Sequence, residues 1–254
     1  MSDLSAFSLE GQRILVTGAN TGIGQGIAIS VGKAGGAVLG VGRSAMDETA
    51  AQLAAIGASF SPIACDLGDH QAAAAMLDAA WEEHGPIDGI VNNAGIIRRA
   101  DAIDFTEEDW DDVMDVNLKS LFFLTQAFAR KVLAAGRTAR VVNIASLLSF
   151  QGGIRVASYT ASKHGVLGIT RLLACEWAAR GINVNAIAPG YIVSNNTEAL
   201  RNDPDRNAAI LGRIPAGRWG EPGDIGDAAV FLLAPASKYM HGAVVPVDGG
   251  WLAR

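Results

Sequence analysis

Tyr159 and Lys163, in the run Tyr159-Thr160-Ala161-Ser162-Lys163, stand four residues apart in a segment of helical composition and so share one helical face. A phenol has an ordinary pKa of about 10, too high for base work near neutrality, and a neighbouring ammonium favours the phenolate. The pair therefore suits the exchange of a proton with an oxygen. Ser146 lies thirteen residues upstream, directly after the apolar run 141–145. Its hydroxyl is thereby expected at the carboxyl end of a strand, where open α/β sheets bind ligands. Tyr and Lys at this spacing also occur on ordinary solvated helices, so the pair gains meaning from its company.

That company begins with Thr17-Gly18-Ala19-Asn20-Thr21-Gly22-Ile23-Gly24, which follows one apolar run and opens a helix-forming segment. Glycines without Cβ let the backbone turn tightly and bring its amides close to a pyrophosphate at the positive end of the next helix. The residues expected to cradle it are Gly18, Asn20, Thr21, Gly22, Ile23 and Gly24. An acid at the end of the second strand would accept from a ribose 2′-hydroxyl, but Gly40-Val41-Gly42-Arg43-Ser44 offers none. Arg43 instead can pair with a 2′-phosphate. NADP(H) is the favoured cofactor, with NAD(H) as the alternative.

The elements that must hold these groups are legible in the hydrophobic pattern. Seven short apolar runs, at residues 14–16, 37–41, 59–64, 89–91, 141–144, 182–187 and 244–247, read as strands. Ala-rich stretches at 71–83, 110–135 and 158–179 have helical spacing. Alternation of this kind predicts an α/β, Rossmann-like single domain over residues 1–254, with a seven-stranded parallel sheet between two layers of helices. Residues 191–219 carry four arginines and no strand-like run, and we read them as a substrate lid.

The T-G-x-x-x-G-I-G spacing, Asn92-Asn93-Ala94-Gly95, Ser146, Tyr159-x-x-x-Lys163 and Pro189-Gly190 occur in the order seen in short-chain dehydrogenases/reductases, which the chain resembles over nearly its whole length. The resemblance implies hydride transfer between a nicotinamide and an alcohol or ketone carbon. It implies catalytic roles for Asn117, Ser146, Tyr159 and Lys163, with Asn117 holding a water of the proton relay, although a buried Asn at a helix kink is its plainer reading. It adds Asp66 and Leu67 near the adenine, Asn93, Ala94 and Gly95 along the adenosine side, and Pro189, Gly190 and Ile192 at the nicotinamide. Tyr159 and Lys163 would also touch the cofactor.

The strings 95–99, 149–155 and 214–220 are similar to a subgroup of that family acting on deoxy and keto-deoxy sugar acids. A sugar acid needs a guanidinium for its carboxylate and amides for its hydroxyls. Ser146, Gln151, Arg155 and Asn196 are the expected substrate contacts, with Arg155 preferred over Arg98 and Arg99. The alternatives are a 3-oxoacyl-carrier-protein or polyol reductase and, in another class, a dinucleotide-binding sensor without turnover.

Composition narrows the partners further. Half of the 254 residues are hydrophobic and 18% are charged, with a net charge of −6, which speaks against nucleic acid and anionic membranes. No run reaches the roughly 18 apolar residues of a membrane span, and the start of the chain lacks a basic, then apolar, leader pattern. Cys65 and Cys175 form no paired spacing, so neither a metal site nor a disulfide framework is expected, and a cytoplasmic location fits. The resemblance implies a homotetramer.

Overall fold

Ile182–Pro189 is buried at every one of its positions, as a parallel strand covered on both faces must be. In the computed structural model, which describes residues 4–254, it is one of seven parallel strands. These are β1 Arg13–Thr17, β2 Ala37–Gly42, β3 Phe60–Ala64, β4 Gly89–Asn92, β5 Ala139–Ile144, β6 Ile182–Pro189 and β7 Val244–Val247. Their order is β3-β2-β1-β4-β5-β6-β7. The strand order reverses between β1 and β4, and a crevice opens above their carboxyl ends. Met1–Asp3, part of the start of the chain read above, lie outside the described residues.

Among the described residues nine α-helices follow in chain order: α1 Gly22–Lys33, α2 Asp47–Ala55, α3 His70–His84, α4 Glu107–Met114, α5 Leu121–Ala134, α6 Ala157–Trp177, α7 Glu198–Arg201, α8 Pro204–Leu211 and α9 Pro222–Leu233. Ile27, Val31, Leu53, Ile225 and Leu232 from α1, α2 and α9 form one core with Ile14, Val16 and Ile187 of the sheet. Leu77, Leu124, Phe128 and Leu173 from α3, α5 and α6 form the core on the other face. The sheet is thus a sandwiched layer within a single Rossmann-like domain. Helix α1 packs directly on α9, and the contact is sealed by the Ser30 hydroxyl donating to Asp227 at 3.0 Å.

Two stretches differ from the pattern reading. Residues 110–135 are not one helix: α4 passes into a π-helical turn at Asp115–Ser120 before α5 begins. A single inserted turn of this kind shifts the register of the side chains beyond it. Residues 191–219 carry two helices, and an isolated bridge between Ile192 and Gly220 closes their base. Asp203 caps α8 by accepting from the amides of Asp205 and Arg206, each at 3.1 Å. Among the described residues no helix is long and apolar enough to cross a membrane.

Candidate active site

Glycine sets the shape of the crevice at the β1–α1 turn. Gly18 has φ +68°, a region unfavourable to any residue with a Cβ, and a Cβ there would stand 2.8 Å from the Asn93 amide nitrogen. A Cβ on Gly24 would collide with the Gly18 carbonyl. The turn is pinned to β4 by Thr17, whose hydroxyl accepts from the amides of Asn93 and Ala94 at 2.9 and 3.0 Å, while Asn93 Nδ2 donates to the Thr17 carbonyl at 2.9 Å. Helix α1 starts with no side-chain cap from Thr21 and no acid in its first turn. Its free amides and positive dipole end therefore face the crevice, an arrangement that fits an anionic pyrophosphate.

A cleft of about 640 Å³ runs from this turn across the carboxyl ends of the strands. Its walls include Gly18, Asn20, Thr21, Gly22, Ile23, Gly24, Arg43, Asp66, Leu67, Asn93, Ala94 and Gly95 on one side, and Ser146, Tyr159, Lys163, Pro189, Gly190, Ile192 and Asn196 on the other. At one end the Arg43 guanidinium is 71% exposed and lies 3.8 Å from the Asp66 carboxylate. Asn20 Nδ2 donates to the Ser44 hydroxyl at 2.8 Å. Sequence reasoning did not single out Ser44, Ser194, Asn195 or Thr197, which also line the cleft. The last three belong to the segment read as a lid, whose polarity was its only signal.

At the other end, Ser146 follows β5 and caps a short 3-10 turn, Leu147–Ser149, where its hydroxyl accepts from the Leu148 amide at 3.1 Å. With that lone pair engaged, the hydroxyl proton is free to point outward, and Ser146 lies near enough to Tyr159 to draw its phenol downward. Lys163, buried one turn along α6, donates to the Ile144 carbonyl at 2.6 Å, and its Nζ lies 5.6 Å from the centre of the Tyr159 ring. Burial pulls the Lys163 ammonium down to about 8.

The electrostatics correct one expectation. Lys163 does not depress Tyr159 in the protein alone: burial pushes the phenol above its ordinary value, and the downward pulls come from the Ser146 hydrogen bond and the charge of Arg99. In a closed, low-dielectric site the loss of hydration outweighs them. Asn117 sits in the π turn, buried, accepting from the Ile96 amide at 2.8 Å and donating to the Ile96 carbonyl at 2.9 Å and to Ser162 at 3.3 Å. It lies behind the cleft wall and ties the loop after β4 to α6.

Two of the expected substrate residues are not brought into the cleft. Arg155 pairs with Asp101 at 3.0 Å, its side chain 59% exposed, and it adopts φ +63°. Gln151 accepts from Trp251 Nε1 at 3.1 Å, joining the loop after Ser146 to the last turn of the chain. Arg98 lines the cleft but is held by Asp109 and Asp112 at 3.2 and 2.9 Å. Arg99 has no carboxylate partner among the described residues; it donates to the Asn196 carbonyl at 3.3 Å. Partner choice of this kind depends on loops brought together by the fold and has no trace in spacing.

Such a fold and cleft define an oxidoreductase of CH–OH groups. A family model described as Enoyl-(Acyl carrier protein) reductase matches residues 18–252, and the chain belongs to the short-chain dehydrogenase/reductase family. It is 55% identical over 251 residues to the 2-dehydro-3-deoxy-D-gluconate 5-dehydrogenase of Escherichia coli (strain K12), covering 99% of each chain. A crystal structure from Agrobacterium tumefaciens, provisionally described as a 2-deoxy-D-gluconate 3-dehydrogenase with bound NADP, is 62% identical, with 98% of this chain and 99% of that one covered and a TM-score of 0.94. A gluconate 5-dehydrogenase from Burkholderia cenocepacia J2315, in complex with NADP and tartrate, is 35% identical over the whole of both chains, with a TM-score of 0.93.

Proposed function

We propose that the chain is an NAD(P)-dependent oxidoreductase, favouring NADP(H), that interconverts a secondary alcohol and a ketone on a deoxy or keto-deoxy sugar acid. The observation that carries this is the meeting of Ser146, Tyr159 and Lys163 in one glycine-cradled cleft, with Lys163 Nζ 5.6 Å from the centre of the Tyr159 ring. The names and bound NADP of the relatives support the same reading. The nicotinamide, when bound, supplies or accepts the hydride. Ser146 donates to the substrate oxygen, and Tyr159 gives that oxygen a proton in reduction or takes one in oxidation. Lys163 and Tyr159 hold the nicotinamide ribose, and Asn117 steadies α6 behind them. Arg43, Ser44 and Asn20 offer donors to a 2′-phosphate, while Asp66 and Leu67 border the adenine.

Arg99 is our candidate for the substrate carboxylate, because it is the arginine near Tyr159 without an acidic partner. Asn196 beside it offers an amide to hydroxyls, and residues 191–219 act as the lid over both. The Burkholderia relative's tartrate, a hydroxy acid, is in keeping with such a site. The protein acts in the cytoplasm, where its free thiols, Cys65 and Cys175, stay reduced.

The test follows NADPH and NADH absorbance with 2-deoxy-D-gluconate and 2-dehydro-3-deoxy-D-gluconate, in wild type and Tyr159→Phe. Turnover with NADPH preferred, lost by about 10² or more in the variant, is the expected result. Turnover that survives the substitution overturns the assignment of Tyr159. No turnover by the wild type on either acid overturns the sugar-acid reading.

A further inference from the structure

We propose that Ser149 is a positioning residue for proton transfer: its buried hydroxyl ties the backbone of Ser146 to the helix that carries Tyr159 and Lys163. The inference rests on the reading of Ser146 and Tyr159 given above.

Ser149 ends the 3-10 turn that begins after Ser146 and is 4% exposed. Its Oγ accepts from the Ser146 amide at 3.2 Å and donates to the Lys163 carbonyl at 2.7 Å. Both functions of one hydroxyl are thus in use, and each partner belongs to a residue at the floor of the cleft. Ser149 itself is not among the residues that line the cleft, so its influence passes through the backbone of its partners. A second tie, from Lys163 Nζ to the Ile144 carbonyl at 2.6 Å, reaches β5 before Ser146. The link through Ser149 therefore sets the serine itself against α6.

The turn also decides how Ser146 works. The Leu148 amide occupies a lone pair of the Ser146 hydroxyl only while residues 147–149 keep their 3-10 geometry. Loss of the Ser149 hydroxyl frees the Ser146 amide, loosens the turn and lets the Ser146 hydroxyl rotate away from Tyr159. Misplacement of a reacting group by about 1 Å can cost on the order of 10² in rate. Because Ser146, beside Tyr159 in the cleft, draws the phenol downward, the same loosening raises the Tyr159 pKa. A residue that only supported the fold would lower stability and leave that pKa in place.

The experiment compares Ser149→Ala, Ser149→Thr and Tyr159→Phe with the wild type in alcohol oxidation at saturating NADP⁺, together with NADPH binding by fluorescence. For Ser149→Ala we expect kcat to fall about tenfold or more, the substrate KM and NADPH affinity to stay within about twofold, and the acidic limb of kcat/KM, where Tyr159 must have lost its proton to act as base, to move to higher pH. Ser149→Thr, which keeps the hydroxyl, recovers most of the rate. Should the alanine variant not fold, Ser149→Cys keeps the volume, weakens both hydrogen bonds and carries the same readout. An unmoved limb with kcat within about twofold of wild type overturns the proposal, and so does a rate loss that Ser149→Thr shares without a shift of the limb. If Tyr159→Phe is inactive and Ser149→Ala is normal, the inference alone falls; if Tyr159→Phe keeps its rate, the reading beneath it falls.

Discussion

Arg98 lines the cleft whereas Arg99 and Arg155 do not, and the three arginines differ as much in company as in position. Arg98 faces two carboxylates and Arg155 faces one, whereas Arg99 has no carboxylate partner among the described residues and donates to the Asn196 backbone carbonyl. An arginine already neutralised has to give up its acid before it can take another. Arg99→Ala should therefore raise the KM for the sugar acid at least about tenfold and leave NADPH affinity unchanged, while Arg155→Ala shifts KM by less than about threefold. Steady-state kinetics with fluorescence titration of NADPH checks both. Arg43→Ala should weaken NADPH by about tenfold and leave NADH nearly as before, a contrast read directly from paired titrations.

Lys163 gives a prediction with a sign at the same scale. Its ammonium falls from an ordinary 10.5 to about 8 in the fold through burial. Between these values the unfolded chain binds more protons than the native one, so stability rises with pH across that window. Below about 8 the full penalty is present, on the order of 3 kcal/mol. Urea denaturation from pH 7 to 10.5, without cofactor, should show wild type gaining stability relative to Lys163→Met as pH rises. A constant difference would refute it.

Among the elements, the strands were legible in sequence because both faces of the sheet are buried, which leaves near-continuous apolar runs such as 37–41. The residues that stitch them were not. Asn92 donates to Thr125 and Asn143, and Asn143 donates to Thr170, all near 2.8–2.9 Å and all buried. Polar side chains inside β4, β5, α5 and α6 look like surface residues until the topology brings them together. Asn143→Ala should cost about 2–3 kcal/mol in urea denaturation, and less again when Asn92 is already Ala, because the pair shares one network. The kink at Asn117 was legible as one of that residue's two readings, but its bonds to Ile96, twenty-one residues away, were not. Glycine spacing at Gly18 and Gly24, by contrast, was legible because close approach leaves no other residue type.

For the whole molecule, a stripe on α5 and α6 holds Phe122, Leu133, Leu172 and Trp177, with Leu172 51% exposed. We propose that this stripe, with β7 at the sheet edge, packs against symmetry mates in a homotetramer. Leu172→Glu should reduce the mass seen by light scattering from that of four chains towards one or two, with the far-ultraviolet dichroism unchanged. A wild-type mass of one chain would end the idea.

The packing of α1 on α9 has a consequence for how the chain acquires its shape. The helix that opens the glycine turn is covered by one made nearly two hundred residues later, with Ser30 bonded to Asp227 across that span. Such distant pairings are slow to find and are closed last. While the chain leaves the ribosome, the part of α1 that packs on α9 stays uncovered until residues 222–233 emerge, so a nascent chain halted before them is a natural client for a chaperone. The helix behind the glycine turn is written early and covered late.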